Sequence, residues 1–193
     1  ALVEKGDFAS GTSSKSTKLI HGGLRYLGQG DFGLVQEVGK ERAIVFENAP
    51  HLVVPEKMLL PLVKGGTNGN LSTALGLTVY DLLAAVKKEE RRSMLSKSKV
   101  LELEPLLNKE LTKSGCVYSE YRTDDARLTI EILKTAANYK ALPLNYIEIT
   151  DLTYNGDKVC GAKYRDVLTG DIGVISANYT VNAAGPWVDK IRN

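Results

Sequence analysis

After residue 144 of the 193-residue chain, the hydrophobic pattern changes from a helical period to alternation, and this change most limits the possible folds. Alternation over 145–154 predicts a β-strand. Asn155 and Gly156 then predict a hairpin turn of type I′, because both residue types tolerate the positive φ that this turn requires. The rest of a predicted three-stranded antiparallel meander is a return strand, a turn and a third strand, over 158–168, 169–170 and 171–177.

Helical spacing of apolar residues dominates the chain before the meander. It predicts helices over 34–46, 71–86, 96–107 and 125–139. Asp124 or Asp125 is the predicted N-cap of the last helix, since a carboxylate accepts hydrogen bonds from the first N–H groups and suits the positive helix end. One face of that helix is predicted to be buried, formed by Leu128, Ile132, Leu133, Ala136 and Ala137.

Shorter apolar runs predict further strands over 1–4, 58–63, 118–123 and 179–183. The first of these is expected to be a buried strand, and the last runs into a helix that begins near Trp187. Segment 64–70 has the composition of a loop. Strands, a Gly-rich loop, helices and a meander in this order predict an α/β or mixed α+β fold.

Composition excludes several classes of protein. With 43% hydrophobic and 25% charged residues, the chain is neither disordered nor collagen-like. Its net charge is only +2, so no overall field favours nucleic acid. The most apolar stretch, 71–86, contains Asp81 and is too short for a membrane span, which indicates a core helix. Cys116 and Cys160 are too few for a disulfide scaffold and indicate buried thiols in a reducing compartment.

The segment 11–23, GTSSKSTKLIHGG, has the composition of a diphosphate-binding loop. Five of the six residues 12–17 carry hydroxyls, namely Thr12, Ser13, Ser14, Ser16 and Thr17, and Lys15 and Lys18 lie among them. Such groups donate hydrogen bonds to negative charge, and the glycine pair Gly22 and Gly23 lets a flat ring approach the backbone closely. A flexible linker has a similar composition, but the apolar change at Leu19 and Ile20 favours an ordered site. The spacing GxxxxGK[ST] of a nucleotide triphosphate loop is absent.

Three long strings carry a specific resemblance. They are VEKGDFASGTSSKSTKLIHGGLRYL at 3–27, YRTDDARLTIEI at 121–132 and VNAAGPWVDKIR at 181–192. In this order they resemble the FAD-dependent glycerol-3-phosphate dehydrogenases of the D-amino-acid-oxidase-like flavoprotein group. The resemblance covers essentially the whole chain. It implies part of a Rossmann-like FAD-binding domain with the meander attached, over 1–49 and 121–193, and part of an adjoining substrate domain over 50–120.

The resemblance also implies which residues hold FAD. Glu4, at the end of a strand, corresponds to the acidic residue that accepts hydrogen bonds from the adenosine ribose. The other implied FAD contacts are the diphosphate and ribityl chain at Thr12, Ser13, Thr17 and Gly185, the flavin at Leu19, Gly22 and Gly23, and the adenine at the Ile149 backbone. No metal site is predicted.

Substrate binding and catalysis are implied at the end of the same string. Arg25 is the implied substrate residue, because a guanidinium binds phosphate with two hydrogen bonds or polarises a hydroxyl. Tyr26 is its implied neighbour. His21 is implied to approach the isoalloxazine as a candidate base, and a structural histidine bonded to the backbone is the alternative.

The implied reaction is oxidation of sn-glycerol 3-phosphate to dihydroxyacetone phosphate, with hydride transfer to FAD and electrons passed to quinone. An oxidase that uses oxygen and releases peroxide is the nearest alternative. An amine or hydroxy-acid oxidase, and an incomplete chain with only a structural role, are the others. No G-x-G-x-x-G motif precedes Glu4, so we expect an internal fragment. We also expect a cytoplasmic, homo-oligomeric enzyme at the inner face of the cell membrane.

Overall fold

The computed structural model describes residues 1–21, 26, 29–66, 76, 78 and 91–192. Two compact units make up the chain, one formed by Ala1–Lys15 with Asp125–Asn193 and the other by Ser16–Asp124. The predicted helix over 71–86 lies outside the described residues except at positions 76 and 78, which are both helical. The assignment of segments 1–49, 50–120 and 121–193 to cofactor and substrate domains stays a prediction.

The fold is mixed α/β, as predicted, and the two larger sheets of the described residues are antiparallel. Its strands are β1 (Leu2–Val3), β2 (Leu19–Ile20), β3 (Val53–Val63), β4 (Ser93–Ser96), β5 (Thr112–Thr123), β6 (Pro143–Leu144), β7 (Ile147–Asn155), β8 (Lys158–Asp166) and β9 (Ile172–Ser176). Its helices are α1 (Phe32–Asn48), α2 (Lys97–Leu103), α3 (Asp125–Asn138) and α4 (Asp189–Arg192), with 3₁₀ turns at Thr12–Ser14 and Gly185–Trp187. Within the described ranges, no helix combines the length and apolar character needed to cross a bilayer.

The unit Ser16–Asp124 is built around β5, which pairs antiparallel with β2, β3 and β4. The β3 strand begins five residues before the predicted start at residue 58, and it contains both Pro55 and Pro61. Proline is tolerated there because, among the described strands, β3 pairs only with β5 and therefore lies at an edge of the sheet. The largest fully buried side chains belong to this unit: Val35, Val53, Val100, Thr112 and Cys116.

The two helices of this unit begin at side-chain caps. Asp31 Oδ1 accepts from the Leu34 N–H of α1 at 3.0 Å, and this helix confirms the predicted one over 34–46. Ser96 caps α2. The prediction of a helix through residue 107 is wrong, because α2 ends at Leu103 and Pro105 keeps Glu104 out of the helical conformation.

The meander of the other unit is confirmed as β7, β8 and β9 in antiparallel order. The predicted type I′ turn at its first hairpin is wrong. Asn155 pairs with Lys158, so the turn residues are Gly156 and Asp157, and only Gly156 has positive φ, +61°. Glycine at the first position and an ordinary second residue are typical of type II′. The second turn, at 169–170, is confirmed, with Gly170 at positive φ.

Three further expectations for this unit change. Leu2 of β1 is exposed, so the strand is not buried, and β1 pairs in parallel with β6. Ile132 is 61% exposed on the face of α3 that was predicted to be buried. Segment 179–183 is not a strand. A strand needs a neighbour to bond, and none of the described strands pairs with this segment, where Tyr179 is 88% exposed.

Neither Cys116 nor Cys160 forms a disulfide in the described part of the chain. The Cys116 thiol is fully buried in β5, as predicted. The Cys160 thiol in β8 is only half-buried.

Candidate functional site

Glu4 stands at the carboxyl end of β1 and is tied to the start of β7 by its main chain. Its N–H donates to the Leu144 carbonyl at 2.9 Å, and its carbonyl accepts from the Ile147 N–H at 2.9 Å. Its side chain is exposed, and Oε1 accepts from the Gly6 N–H at 2.8 Å. The carboxylate is therefore held at the end of the strand and open to a ligand.

Ile149 lies two residues further along β7, opposite Tyr164 of β8, and is half-buried. Its neighbour Glu148 forms ion pairs with Lys5, which follows β1, and with Arg165 of β8. Lys5 Nζ lies 2.6 Å from Glu148 Oε1, and Arg165 Nη2 lies 2.5 Å from Glu148 Oε2. Hydrogen bonds from Lys5 and then Arg165 hold the pKa of the Glu148 carboxyl below its usual range. The structure thus brings the end of β1 and the Ile149 strand together.

The predicted diphosphate residues Thr12 and Ser13 form a 3₁₀ turn that packs against α3. The turn is closed by a hydrogen bond from the Lys15 N–H to the Thr12 carbonyl at 3.1 Å. Both hydroxyls are exposed and make no hydrogen bond within the part of the chain that the structure describes. They are available as donors to a polar ligand.

Gly185 begins the second 3₁₀ turn of the same unit. Its φ is +55°, and a Cβ added there would meet nothing within 4 Å. The bond from the Val188 N–H to the Gly185 carbonyl closes the turn at 3.1 Å. The open space beside the glycine agrees with close approach of a ligand to its backbone.

Four more of the predicted site residues that the structure describes belong to the unit Ser16–Asp124: Thr17, Leu19, His21 and Tyr26. Thr17 is exposed, and its hydroxyl has no hydrogen-bond partner among the described residues. Leu19 of β2 is half-buried and pairs with Arg122 of β5. His21 directly follows β2 and is exposed, and its ring centroid lies 6.4 Å from that of Tyr26. The structure therefore brings His21 and Tyr26 together.

Three predicted site residues, Gly22, Gly23 and Arg25, lie outside the described residues. Their roles at the flavin and the substrate stay predictions. Among the described residues, no cluster of His, Cys, Asp and Glu side chains has the arrangement of a metal site.

A buried ion pair escaped the sequence analysis. Arg42 of α1 and Glu120 of β5 are 3% and 4% exposed, and Arg42 Nη1 lies 3.2 Å from Glu120 Oε2. Burial, and then the negative charge of Glu120, raises the pKa of the Tyr118 phenol nearby. The spacing of Val35, Gly39 and Arg42, which puts all three on one helix face, is a sequence signal that could have placed Arg42 on the buried face.

Comparison with known proteins gives the family. The family model for FAD dependent oxidoreductases matches residues 1–193 of the chain. The chain belongs to the FAD-dependent oxidoreductase family. The sheets and helices of each unit are thus part of an oxidoreductase fold.

Relatives of this oxidoreductase are similar along its whole length. The chain is 57% identical over 192 residues to the aerobic glycerol-3-phosphate dehydrogenase of Bacillus subtilis and 58% identical over 193 residues to that of Staphylococcus haemolyticus. These alignments cover 100% of this chain and 35% of each relative. The crystal structure of the glycerol-3-phosphate dehydrogenase from Bacillus halodurans complexed with FAD matches with a TM-score of 0.74 and 45% identity, covering 99% of this chain and 30% of that one. The oxidoreductase chain therefore spans about a third of the curated relatives it matches.

The described residues of this oxidoreductase fit an FAD. The cofactor needs an acidic acceptor for its ribose and hydrogen-bond donors for its diphosphate. Glu4 presents an exposed carboxylate at a strand end, and Thr12, Ser13 and Thr17 present exposed hydroxyls. Gly185 has open space beside its backbone. Nothing in this donor set conflicts with the cofactor that the family is named for.

Proposed function

We propose that this oxidoreductase oxidises sn-glycerol 3-phosphate to dihydroxyacetone phosphate, with FAD as its cofactor. The observation that carries the proposal is the identity of 57% with an aerobic glycerol-3-phosphate dehydrogenase over 192 residues. The alignment covers the whole chain, so it spans the Ser/Thr-rich loop, the strand before His21 and the meander. The chain covers 35% of that relative, so the rest of the catalytic apparatus corresponds to other parts of the relative.

We assign the cofactor roles residue by residue within each unit. In one unit, Glu4 accepts hydrogen bonds from the adenosine ribose, the Thr12 and Ser13 hydroxyls donate to the diphosphate, the Ile149 backbone contacts the adenine, and Gly185 lets the ribityl–diphosphate region approach. In the other, Thr17 contacts the diphosphate and ribityl chain. Leu19, Gly22 and Gly23 contact the flavin. FAD, when bound, supplies the hydride acceptor for the C2 hydrogen of the substrate.

The substrate roles fall to residues at and after the end of β2. The Arg25 guanidinium binds the phosphate, because its planar donors match two phosphate oxygens. Tyr26 lies beside His21 and shapes the same region. His21, exposed at the end of β2, accepts the proton of the C2 hydroxyl as the hydride leaves.

Flavin reduction tests the proposal directly. Anaerobic addition of glycerol 3-phosphate to the purified native protein should bleach its flavin absorption near ~450 nm, the band characteristic of the oxidised cofactor. Sarcosine and 2-hydroxyglutarate are the controls, and either one bleaching the band in place of glycerol 3-phosphate contradicts the substrate. A native protein with no flavin supports a structural role instead.

An Arg25→Met variant separates phosphate binding from folding. We expect KM for glycerol 3-phosphate to rise by about tenfold to a hundredfold, because a charge-assisted phosphate contact contributes about 1.5–3 kcal/mol. The same variant should load FAD as the wild-type protein does. An unchanged KM would remove Arg25 from the substrate site.

We also propose quinone as the electron acceptor, with homo-oligomers bound peripherally at the inner face of the cell membrane. The relatives are named dehydrogenases rather than oxidases, which supports an electron acceptor other than oxygen. Turnover with a soluble quinone analogue and no peroxide release in air is the expected result. Peroxide formed without quinone assigns an oxidase, and failure to sediment with membrane vesicles contradicts peripheral binding.

A further inference from the structure

One guanidinium of the unit Ser16–Asp124 contacts three successive residues of its central strand. Arg42 Nη1 donates to Glu120 Oε2 at 3.2 Å and is 3.4 Å from the Ser119 carbonyl. The Arg42 Cζ atom also lies 4.7 Å from the ring centroid of Tyr121, which packs on Phe46. Both charged side chains are at least 96% buried. Helix α1 is therefore joined to β5 by a charged contact inside the unit.

Stability alone does not explain this contact. Removing two charges from water is unfavourable by about as much as their attraction inside the protein is favourable. Apolar residues of similar size at such positions often leave a protein as stable as before. The ion pair makes the contact directional, because the planar guanidinium donates hydrogen bonds only in a fixed arrangement. The pair thus gives α1 a directional contact with β5.

The position of β5 in turn sets the position of β2. Tyr121 pairs with Ile20, and the Thr123 N–H donates to the Lys18 carbonyl at 2.9 Å. Strand β2 has only two residues, and among the described strands it pairs only with β5. His21 follows it immediately in the chain.

We propose that Arg42 and Glu120 are a positioning pair for the reaction: through Tyr121 and β2 they fix where His21 stands relative to the flavin and the substrate. The inference rests on the proposed function, since it takes His21 to face the flavin. A displacement of about 1 Å at a reacting group lowers a rate by up to about a hundredfold. The Arg42–Glu120 pair can therefore control turnover through β2 without touching the substrate.

The test is the double variant Arg42→Met/Glu120→Leu in the native holoenzyme. We expect a folded protein with the wild-type FAD content, a shifted flavin absorption maximum, and kcat lowered about tenfold or more with a smaller change in KM. The control is Arg122→Met/Glu56→Leu, the same substitutions at an ion pair of the same sheet, whose side chains are 56% and 46% exposed. The control should retain kcat and the spectrum.

A second variant decides the matter if the double variant does not fold. Arg42→Lys keeps the charge but loses the planar contact with Glu120 and Tyr121, and we expect it to lower kcat at unchanged FAD content and melting temperature. Wild-type kcat and spectrum in the folded double variant, or wild-type kcat in Arg42→Lys, overturn the positioning role. A wild-type protein that is not reduced by glycerol 3-phosphate overturns the proposed function instead.

Discussion

Replacing Gly161 with alanine should open the meander. Gly161 lies in β8 with φ at +154°, a conformation that side-chain-bearing residues rarely adopt. A Cβ at this position would lie 2.1 Å from the Ile175 carbonyl oxygen and 3.0 Å from both Ser176 Cα and Thr153 Oγ1. The nearest obstacles are backbone atoms of β9, which cannot rotate away as a flexible side chain does.

The expected loss has two parts. The strained φ costs about 1–3 kcal/mol. Relief of the collision requires β9 to move away from β8. This movement weakens the hydrogen bonds between the two strands beside Gly161, and each lost bond costs about 1 kcal/mol of stability. Together they amount to about 3 kcal/mol or more, which corresponds to an increase of over ~100-fold in the population with the two strands open.

Hydrogen exchange of the native protein measures this opening. In Gly161→Ala, the amides of β8 and β9 should exchange over ~100-fold faster, including Ala177, whose N–H bonds the Cys160 carbonyl at 2.9 Å. Gly156→Ala is the matched control, since its φ is +61° but nothing lies within 4 Å of the added Cβ, so we expect a loss of only about 1 kcal/mol. Equal protection in Gly161→Ala and wild type would refute the reasoning, and equal losses in the two variants would refute the collision.

Two further predictions concern the ion pairs of the Glu148 carboxylate and the Asp31 helix cap. Because Lys5 and Arg165 lower the pKa of folded Glu148, its contribution to stability is complete above its ordinary pKa of 4.5 and is lost as pH falls through the lowered value. Melting temperatures across acidic pH should therefore fall less steeply in Glu148→Gln, and parallel profiles contradict this. Asp31→Ala removes the capping bond from the Leu34 N–H, so it should lower the free energy of unfolding by about 1 kcal/mol in thermal melts. Asp31→Asn should keep most of that stability, because an amide oxygen also accepts this bond.

Local chemistry explains which elements could be predicted from the sequence. The meander follows from alternation and from glycines at the turns, and helix α1 follows from its spacing and the Asp31 cap. The turn type was wrong because the β7–β8 register shifts between Thr153 and Tyr154, so Asn155 still belongs to the strand. A bulge of this kind depends on the partner strand, which the local pattern does not contain.

Elements that depend on distant partners could not be predicted. Segment 179–183 has the composition of a strand, but a strand forms only against a neighbour that the spacing does not specify. Likewise, helical spacing places Arg42 on the buried face, but it does not indicate that Glu120, 78 positions away, neutralises it. The string at 3–27 also does not indicate that the rings of His21 and Tyr26 lie close together.

The prolines of β3 have a consequence for solubility during folding and storage. Pro55 and Pro61 are an even number of positions apart, so their nitrogens point to the same side of the strand. A proline nitrogen has no hydrogen to donate, and the charged residues Glu56 and Lys57 follow Pro55 directly. An edge that lacks two of its donors and carries charge is a poorer template for a second chain. Among the described strands, the unpaired edge of β3 is thereby protected against aggregation by strand addition.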